Sequence, residues 1–195
     1  NVSDLEVSNP DIVKPEQVTS GEVGYRGKFN KLIVDFSAYY TSYKDFISQQ
    51  YVISPHYGTA GDNSGVEAVS RRDYKTYNAY TNSEANVNSY GASIGISTKV
   101  LGNLDLGGSN TYTKLDFDQA AFPDFVTNFN TPEHKFKASF GNTKLFKNFG
   151  FNIAYRYSDD YFWEATFGQG VVPEFHVVDA QINYSIPSIK STFKI

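Results

Sequence analysis

The sequence predicts an all-β fold: about eight antiparallel strands of a transmembrane β-barrel, joined as four hairpins. Three observations predict it. Long runs alternate apolar and polar residues, short turns alternate with long polar connections, and aromatic residues make up 16% of a chain whose mean hydropathy is only -0.42. A tilted strand needs about 9–11 residues to cross a bilayer, and only half of them face lipid. No apolar run reaches the ~18 residues that a transmembrane helix requires.

The second run sets the pattern for the others. After a turn at Phe29 and Asn30, its even positions are apolar and its odd positions are polar. The apolar residues are Leu32, Val34, Phe36, Ala38 and Tyr40, and the polar ones are Asp35, Ser37 and Thr41. Period-two runs occur at 17–28, 31–47, 86–99, 103–116, 134–142, 149–162, 175–186 and 189–195. This periodicity predicts strands with one apolar and one polar face, and no convincing helix is found.

The polar faces carry charged and small residues, which suits a wet lumen and not a dry core. Examples are Ser93, Gly95, Lys135, Lys137, Arg156 and Asp179. The opposite faces, with residues such as Ile94 and Ile96, are expected to point at lipid.

The connections between the runs are of two kinds, short and long. Tight turns join runs one to two, three to four, five to six and seven to eight, and long polar segments at 53–85, 117–133 and 163–174 lie between these hairpins. Outer-membrane barrels have short periplasmic turns and longer extracellular loops. We therefore expect these three segments to be extracellular.

Tyrosines at shared distances from the short turns predict two aromatic girdles. Counted about ten residues from each short turn, the outward positions include four tyrosines, which predicts a girdle at the outer interface. These are Tyr40, Tyr90, Tyr112 and Tyr157. Tyr25, Phe149 and Tyr184 lie closer to the short turns and are expected to form the lower girdle. β-propensity alone also favours tyrosine in strands.

The sequence offers little chemistry of the kind that enzymes use. His56, His134 and His176 have no metal-ligand spacing, and the chain has no cysteine. Asp159 and Asp160 show no calcium-ligand pattern and are expected to be solvated charges. We find no catalytic triad or carboxylate pair, so we predict no enzyme, no metal site and no cofactor. A net charge of -4 argues against nucleic acid as a partner.

The long segments carry aromatic residues beside hydrogen-bonding groups, a combination that suits ligand binding in barrel loops. The ligand-binding candidates are Tyr74, Tyr77, Tyr80, Tyr161 and Trp163. These rings can instead pack the loops against one another.

Several segments together resemble the late-barrel part of TonB-dependent outer-membrane receptors, particularly the SusC-like or siderophore-like receptors of Bacteroidetes. The segments are "VKPEQVTSGEVGYRGKF" (13–29), "LIVDFSAYYTSYKDFI" (32–47), "VNSYGASIG" (87–95), "FNTPEHKFKASFGN" (129–142), "FGFNIAYRYSDDYFWEATFGQGVVPEFHVVDAQINY" (149–184) and "IPSIKSTFKI" (186–195). The resemblance spans essentially the whole chain.

This resemblance implies that residues 1–195 are part of a 22-stranded plugged barrel in the bacterial outer membrane, without its plug and its last strands. It implies import of a nutrient such as a glycan, peptide or siderophore. The implied partners are outer-membrane lipids, TonB acting through the plug, the nutrient and, in some receptors, a surface lipoprotein. The start of the chain has no signal sequence, so we expect a mature protein or an internal fragment.

Two other functions stay open from the sequence. Eight strands are enough for a small closed barrel, which would serve a structural or adhesive role. A soluble β-rich carbohydrate-binding domain is the other alternative, although sorted loops and paired girdles favour a membrane.

Overall fold

The computed structural model describes residues 12–56, 64–83, 86–122, 126–165 and 168–195, which are almost entirely β-structure. In chain order the elements are β1 Gln17–Phe29, β2 Leu32–Lys44, β3 Ile47–Pro55, α1 Ser64–Arg71, β4 Tyr74–Asn82, β5 Val87–Val100, β6 Leu104–Asp116, β7 His134–Asn142, β8 Phe149–Ser158, β9 Tyr161–Ala165, β10 Gly168–Val172, β11 Phe175–Ile186, a 3₁₀ turn at Pro187–Ile189, and β12 Ser191–Lys194.

Eight of these strands form one antiparallel sheet in the order β1-β2-β5-β6-β7-β8-β11-β12. They correspond to the eight predicted runs, so the prediction of an antiparallel all-β fold is confirmed. Within the described residues β1 and β12 lie at opposite edges and do not pair with each other. The eight described strands therefore form an open wall and not a closed small barrel.

Short turns close the four hairpins at one end of the sheet, which we call the short-turn end. Phe29 pairs with Leu32, so the first turn has two residues, and Asn30 adopts φ 57 there. Val100 pairs with Leu104 across a three-residue turn that contains Gly102 at φ 87. Asparagine and glycine tolerate these left-handed conformations better than other residues. Local turn chemistry thus fixes the register of these hairpins.

The strand register places the apolar rows of all eight strands on one face. Phe36 pairs with Ile94, and Ala38 pairs with Ala92. Directly paired residues point to the same side of a sheet. The predicted two-faced pattern is therefore confirmed as a continuous apolar face and a continuous polar face.

Hydrogen bonds and ion pairs run across the polar face. The Ser37 hydroxyl lies 3.0 Å from the Ser93 hydroxyl on the next strand. Lys99 Nζ lies 2.7 Å from an Asp105 carboxylate oxygen. Arg156 and Asp179 pair at 2.9 Å, and Arg26 pairs with Asp35. Three oppositely charged pairs on this face thus join neighbouring strands.

In the part of the chain that the structure describes, the sheet is a single layer and encloses no hydrophobic core. Of the described hydrophobic residues, only Ala68 and Val87 are buried. On the apolar face, in contrast, Ile94 is 50% exposed and Val178 is 68% exposed. Soluble monomers rarely expose contiguous apolar patches of more than a few hundred Å². No described helix has the length and apolar character needed to cross a membrane.

The long connections contain more structure than the polar loops that the sequence predicts. β3 and β4 form a hairpin that prolongs β2 and β5 beyond a break at Asp45, which has φ 55. β9 and β10 continue the pairing of β8 and β11 in one register, with Ser158 opposite Phe175 and Tyr161 opposite Val172. The helix α1 packs on β3. The expectation of no helix is therefore wrong at residues 64–71.

Candidate functional site

The three long connections meet at the end of the sheet opposite the short turns, which we call the loop end. Glu164 on β9 is the central residue. Its backbone N–H donates to Asn130 Oδ1 at 2.7 Å, and Asn130 Nδ2 donates to the Glu164 carbonyl at 2.8 Å. The Glu164 carboxylate also accepts from the Thr127 hydroxyl and the Asn128 backbone N–H, both at 3.3 Å. The segment 126–132 is thereby fixed to the β9–β10 hairpin.

The same segment also contacts the β3–β4 hairpin. The Ser48 hydroxyl on β3 donates to the carbonyl of Val126, and Asn128 Nδ2 donates to the Ser48 oxygen at 3.4 Å. Ser48 is only 4% exposed, so these bonds are shielded from water. Asn128 and Asn130 adopt φ 53 and φ 39, conformations that asparagine tolerates. One short segment therefore joins all three long connections.

A groove of about 260 Å³ opens beside this network. Its lining residues are Gln119, Thr127, Phe129, Asn130, Thr131, Tyr161, Phe162 and Glu164. Ligand pockets usually combine aromatic walls with a few polar groups that orient the ligand. Three aromatic side chains with amide, hydroxyl and carboxylate groups give the groove this composition. It has room for one small polar unit.

Only one of the five predicted ligand-binding residues lines this groove. Tyr161 does so, whereas Trp163, two residues along β9, is absent from the lining. Tyr74, Tyr77 and Tyr80 lie on β4, where alternation places Tyr77 on the face opposite to the other two. Tyr77 and Tyr80 are 52% and 59% exposed. The structure therefore spreads the predicted aromatic residues over two hairpins.

The sequence prediction missed several groove residues that come from separate segments. Phe129 and Asn130 lie in the 126–132 segment, and Glu164 lies on β9. Nothing in the local sequence pairs these segments. The closely spaced asparagines of "TNFN" (127–130) were the available signal, because asparagine is common where the backbone turns left-handed.

The residues of the predicted outer girdle lie near one another on the apolar face. Tyr40 pairs with Tyr90, and the Tyr90 and Tyr112 rings are 6.4 Å apart. The band also includes two histidines that the sequence prediction did not assign to it. The His134 ring lies 4.9 Å from the Tyr112 ring, and the His176 ring lies 4.9 Å from that of Tyr157.

The aromatic residues predicted for the lower girdle divide into two groups. Phe149 pairs with Tyr184 near the short-turn end, and Phe146 stacks on Phe149 at 6.3 Å. Tyr25 instead pairs with Phe36, well along β2 from the turn. Phe29, opposite Leu32, is the aromatic residue beside that turn.

Asp159 differs from the solvated charge that the sequence predicts. Its carboxylate accepts from the Tyr157 hydroxyl at 2.6 Å and from the His134 backbone N–H at 3.0 Å. Asp160 is exposed. His56 pairs with Asp73 at the base of the α1 connection. Within the described ranges, no group of three or more histidine, aspartate or glutamate residues could hold a metal ion.

Comparison with known proteins gives one family match and several structural neighbours. The whole chain, residues 1–195, matches a family profile described as "TonB dependent receptor-like, beta-barrel". Among solved structures, the chain is similar to the copper transporter OprC, with 18% identity and a TM-score of 0.64 over 90% of this chain and 24% of OprC. It is also similar to the FrpB iron transporter from Neisseria meningitidis (F3-3 variant), with 14% identity and a TM-score of 0.60 over 90% and 24% of the two chains.

A third similar structure is the siderophore receptor PirA from Acinetobacter baumannii. It has 12% identity and a TM-score of 0.56, over 89% of this chain and 26% of PirA. The chain thus spans 24% to 26% of the length of these three proteins, and the low identities show a shared fold alone. No curated protein sequence matches the chain.

Proposed function

Because the chain belongs to the TonB-dependent receptor-like β-barrel family, we propose that it supplies eight strands to an outer-membrane receptor that imports a nutrient. In this proposal residues 1–195 are part of a larger barrel domain, and the segments 53–85, 117–133 and 163–174 are its extracellular loops. The family and the structural neighbours consist of receptors and transporters and not of enzymes.

The observation that carries the proposal is the single-layer sheet with opposite faces. An apolar face that packs on nothing is unfavourable in water, whereas it is favourable against lipid hydrocarbon. The polar face, with its ion pairs and hydroxyl groups, suits a hydrated interior. This combination argues against a soluble carbohydrate-binding domain, which needs a packed core. The open sheet argues against a closed eight-stranded adhesion barrel.

The two aromatic bands support a definite position in the bilayer. Tyrosine favours membrane interfaces because its ring is apolar and its hydroxyl prefers water. We place Tyr40, Tyr90, Tyr112 and Tyr157 at the outer interface, with His134 and His176 among them. Phe149 and Tyr184 lie at the inner interface.

The nutrient, in this proposal, first contacts the groove at the loop end. A glycan, peptide or siderophore presents the mixture of apolar and hydrogen-bonding surface that Phe129, Phe162 and Asn130 would match. The neighbouring proteins are described as a copper transporter, an iron transporter and a siderophore receptor. TonB, acting through a plug, would drive release into the periplasm. A SusC-like receptor would also recruit a surface lipoprotein.

The intact mass of the polypeptide in its source membrane tests the proposal. We expect a mass several times 21.8 kDa in the outer-membrane fraction. A mass near 21.8 kDa would instead require these strands to close on themselves, and the import function would be abandoned for a small structural barrel.

The groove has its own test in cells that carry the complete receptor. Deleting the receptor should abolish uptake of one member of a panel of copper, ferric siderophores and oligosaccharides. The double variant Phe129→Ala/Phe162→Ala should lower uptake of that same nutrient at least ~10-fold, because aromatic residues dominate binding energy in such sites. Val171→Ala, at an exposed residue of β10 outside the groove, is the control. Normal uptake by the double variant would exclude the groove from recognition.

A further inference from the structure

We propose that Lys135, Lys137 and Arg156 form an anion-binding patch on the polar face of the sheet, which takes a carboxylate or phosphate group of an incoming solute. The inference rests on the proposed function, because it requires the polar face to line the barrel interior. It adds a chemical class to the nutrient, namely an anion. We call these three residues the cationic patch.

The first argument is an unfavourable pairing of like charges. Lys137 on β7 lies directly opposite Arg156 on β8. Side chains in such a pair have Cβ atoms about 4.5–5.5 Å apart, and like charges there destabilise the sheet. Lys135 lies two residues closer to the loop end, opposite Ser158, and adds a third positive charge to the same face. An anion bound among the three would remove this repulsion.

The second argument is the charge balance of the polar face. Lys99 has its own carboxylate partner in Asp105. Arg156 forms an ion pair with Asp179 at 2.9 Å. Lys135 and Lys137 have no ion-pair partner among the residues that the structure describes. The polar positions of β5 to β8 and β11 carry four cations and two carboxylates: Lys99, Lys135, Lys137, Arg156, Asp105 and Asp179. This excess occurs in a chain whose net charge is -4, so it is local.

Hydroxyl groups border the cationic patch on its other side. Ser109 and Thr111 on β6 lie opposite Lys137 and Lys135. Hydroxyl donors beside ammonium and guanidinium groups are the usual surroundings of carboxylate and phosphate oxygens. Gly95 lies opposite Ser109 on β5, so no side chain projects from the next strand at that level. The sheet surface beside the cationic patch therefore carries only small side chains and is open to the barrel interior.

The position of the cationic patch favours an incoming solute as its occupant. Lys135 is the second residue of β7 and follows closely after the 126–132 segment that lines the groove. The cationic patch thus lies just below the loops, where a solute passes after leaving the groove. A concentrated positive charge at such an entrance raises the local concentration of anions and their rate of entry.

The test measures binding of a trisulfonated pyrene dye to the complete receptor in detergent by fluorescence anisotropy at low ionic strength. We expect saturable binding that weakens as salt is added. The double variant Lys135→Gln/Lys137→Gln should bind the dye at least ~10-fold more weakly, because it removes two of three charges. Lys114→Gln is the control, because Lys114 lies on the apolar face of β6 and should not change the affinity.

Three results would overturn the inference: no binding by the wild-type receptor, equal affinity of the double variant, or binding that appears only after an interior-filling segment of the receptor is deleted. The last result would mean that the cationic patch binds that segment and not an incoming solute. Outer-membrane assembly of each variant is measured in parallel by its heat-modifiable mobility. An assembled receptor that fails the dye test contradicts only the cationic patch, whereas a chain that never assembles in the membrane contradicts the proposed function as well.

Discussion

The two faces of the sheet share every strand and differ in almost every other respect. On β5, Ile94 belongs to the apolar face and its neighbour Ser93 to the polar face. On the apolar face of β5 and β6, the charged residues are Lys114 and Asp116, and both lie in the last three positions of β6. On the polar face, ion pairs occur along the strands. This difference shows that strand register alone decides whether a side chain faces lipid or water.

Charge substitution on β5 should give the largest contrast. Ile94→Arg places a guanidinium on the lipid face and should cost about 2–4 kcal/mol if the site lies at the bilayer midplane. Ser93→Arg places the same side chain on the polar face and should be tolerated. Assembly of the complete receptor in the outer membrane is the measurement. Equal tolerance at both positions would contradict the assignment of the faces.

A second contrast lies within the polar face, between two glycines of β5. A Cβ at Gly91 would meet the Tyr112 carbonyl oxygen at 2.5 Å and the Tyr39 ring at 2.7 Å, whereas at Gly95 the nearest atom is 3.8 Å away. Gly91→Ala should lower the free energy of unfolding by ~1–3 kcal/mol because the backbone must shift. Gly95→Ala should be neutral or slightly stabilising.

The urea midpoint of the complete receptor in lipid vesicles compares the two glycine variants. The prediction fails if Gly91→Ala and Gly95→Ala unfold at the same midpoint. A lower midpoint for Gly91→Ala than for Gly95→Ala would show that the Tyr39 ring leaves no room for a Cβ at position 91.

A smaller effect is expected from the contact between two aromatic rings of the apolar face. The rings of Phe140 and Phe151 are 5.9 Å apart with an interplanar angle of 62°, an edge-to-face arrangement. A double-mutant cycle with Phe140→Leu and Phe151→Leu should give a coupling energy of ~0.5–1.5 kcal/mol. Additive effects would mean that each ring interacts with lipid and not with the other.

The smallest effect should come from an exposed ion pair of the polar face. Lys99 and Asp105 are 47% and 62% exposed and pair at 2.7 Å. Because water screens such a pair, the Lys99→Gln variant should lose at most ~1 kcal/mol of stability, and the loss should decrease at high salt. A large, salt-independent loss would show that the interior at this level is dry.

The sequence was sufficient for the sheet because the signal there is local. Alternation in β2 and β8 and the turn residues Asn30 and Gly102 each specify structure within a few positions. The sequence was insufficient for the loop end. α1 has only eight residues, which is too short for helix propensity to indicate it reliably. Strand β4 carries polar residues on both faces, so its alternation is weak.

The candidate groove was predicted only in part for a different reason. Tyr161 was identified because an aromatic residue in a long connection is conspicuous. Asn130 and Glu164 were missed because their contact joins segments 34 residues apart, and neither segment signals the other. Long-range hydrogen bonds between loops depend on the completed sheet, which brings the loop bases together.

In the eight-stranded sheet, each strand pairs with the sheet strands that come before and after it along the chain. Short connections alternate with long ones. Adding or deleting one strand would reverse the direction of all later strands and exchange short turns with long loops between the two ends. Adding or deleting a whole hairpin changes neither. The hairpin is therefore the unit by which such a wall can lengthen or shorten during evolution, with its circumference changing two strands at a time.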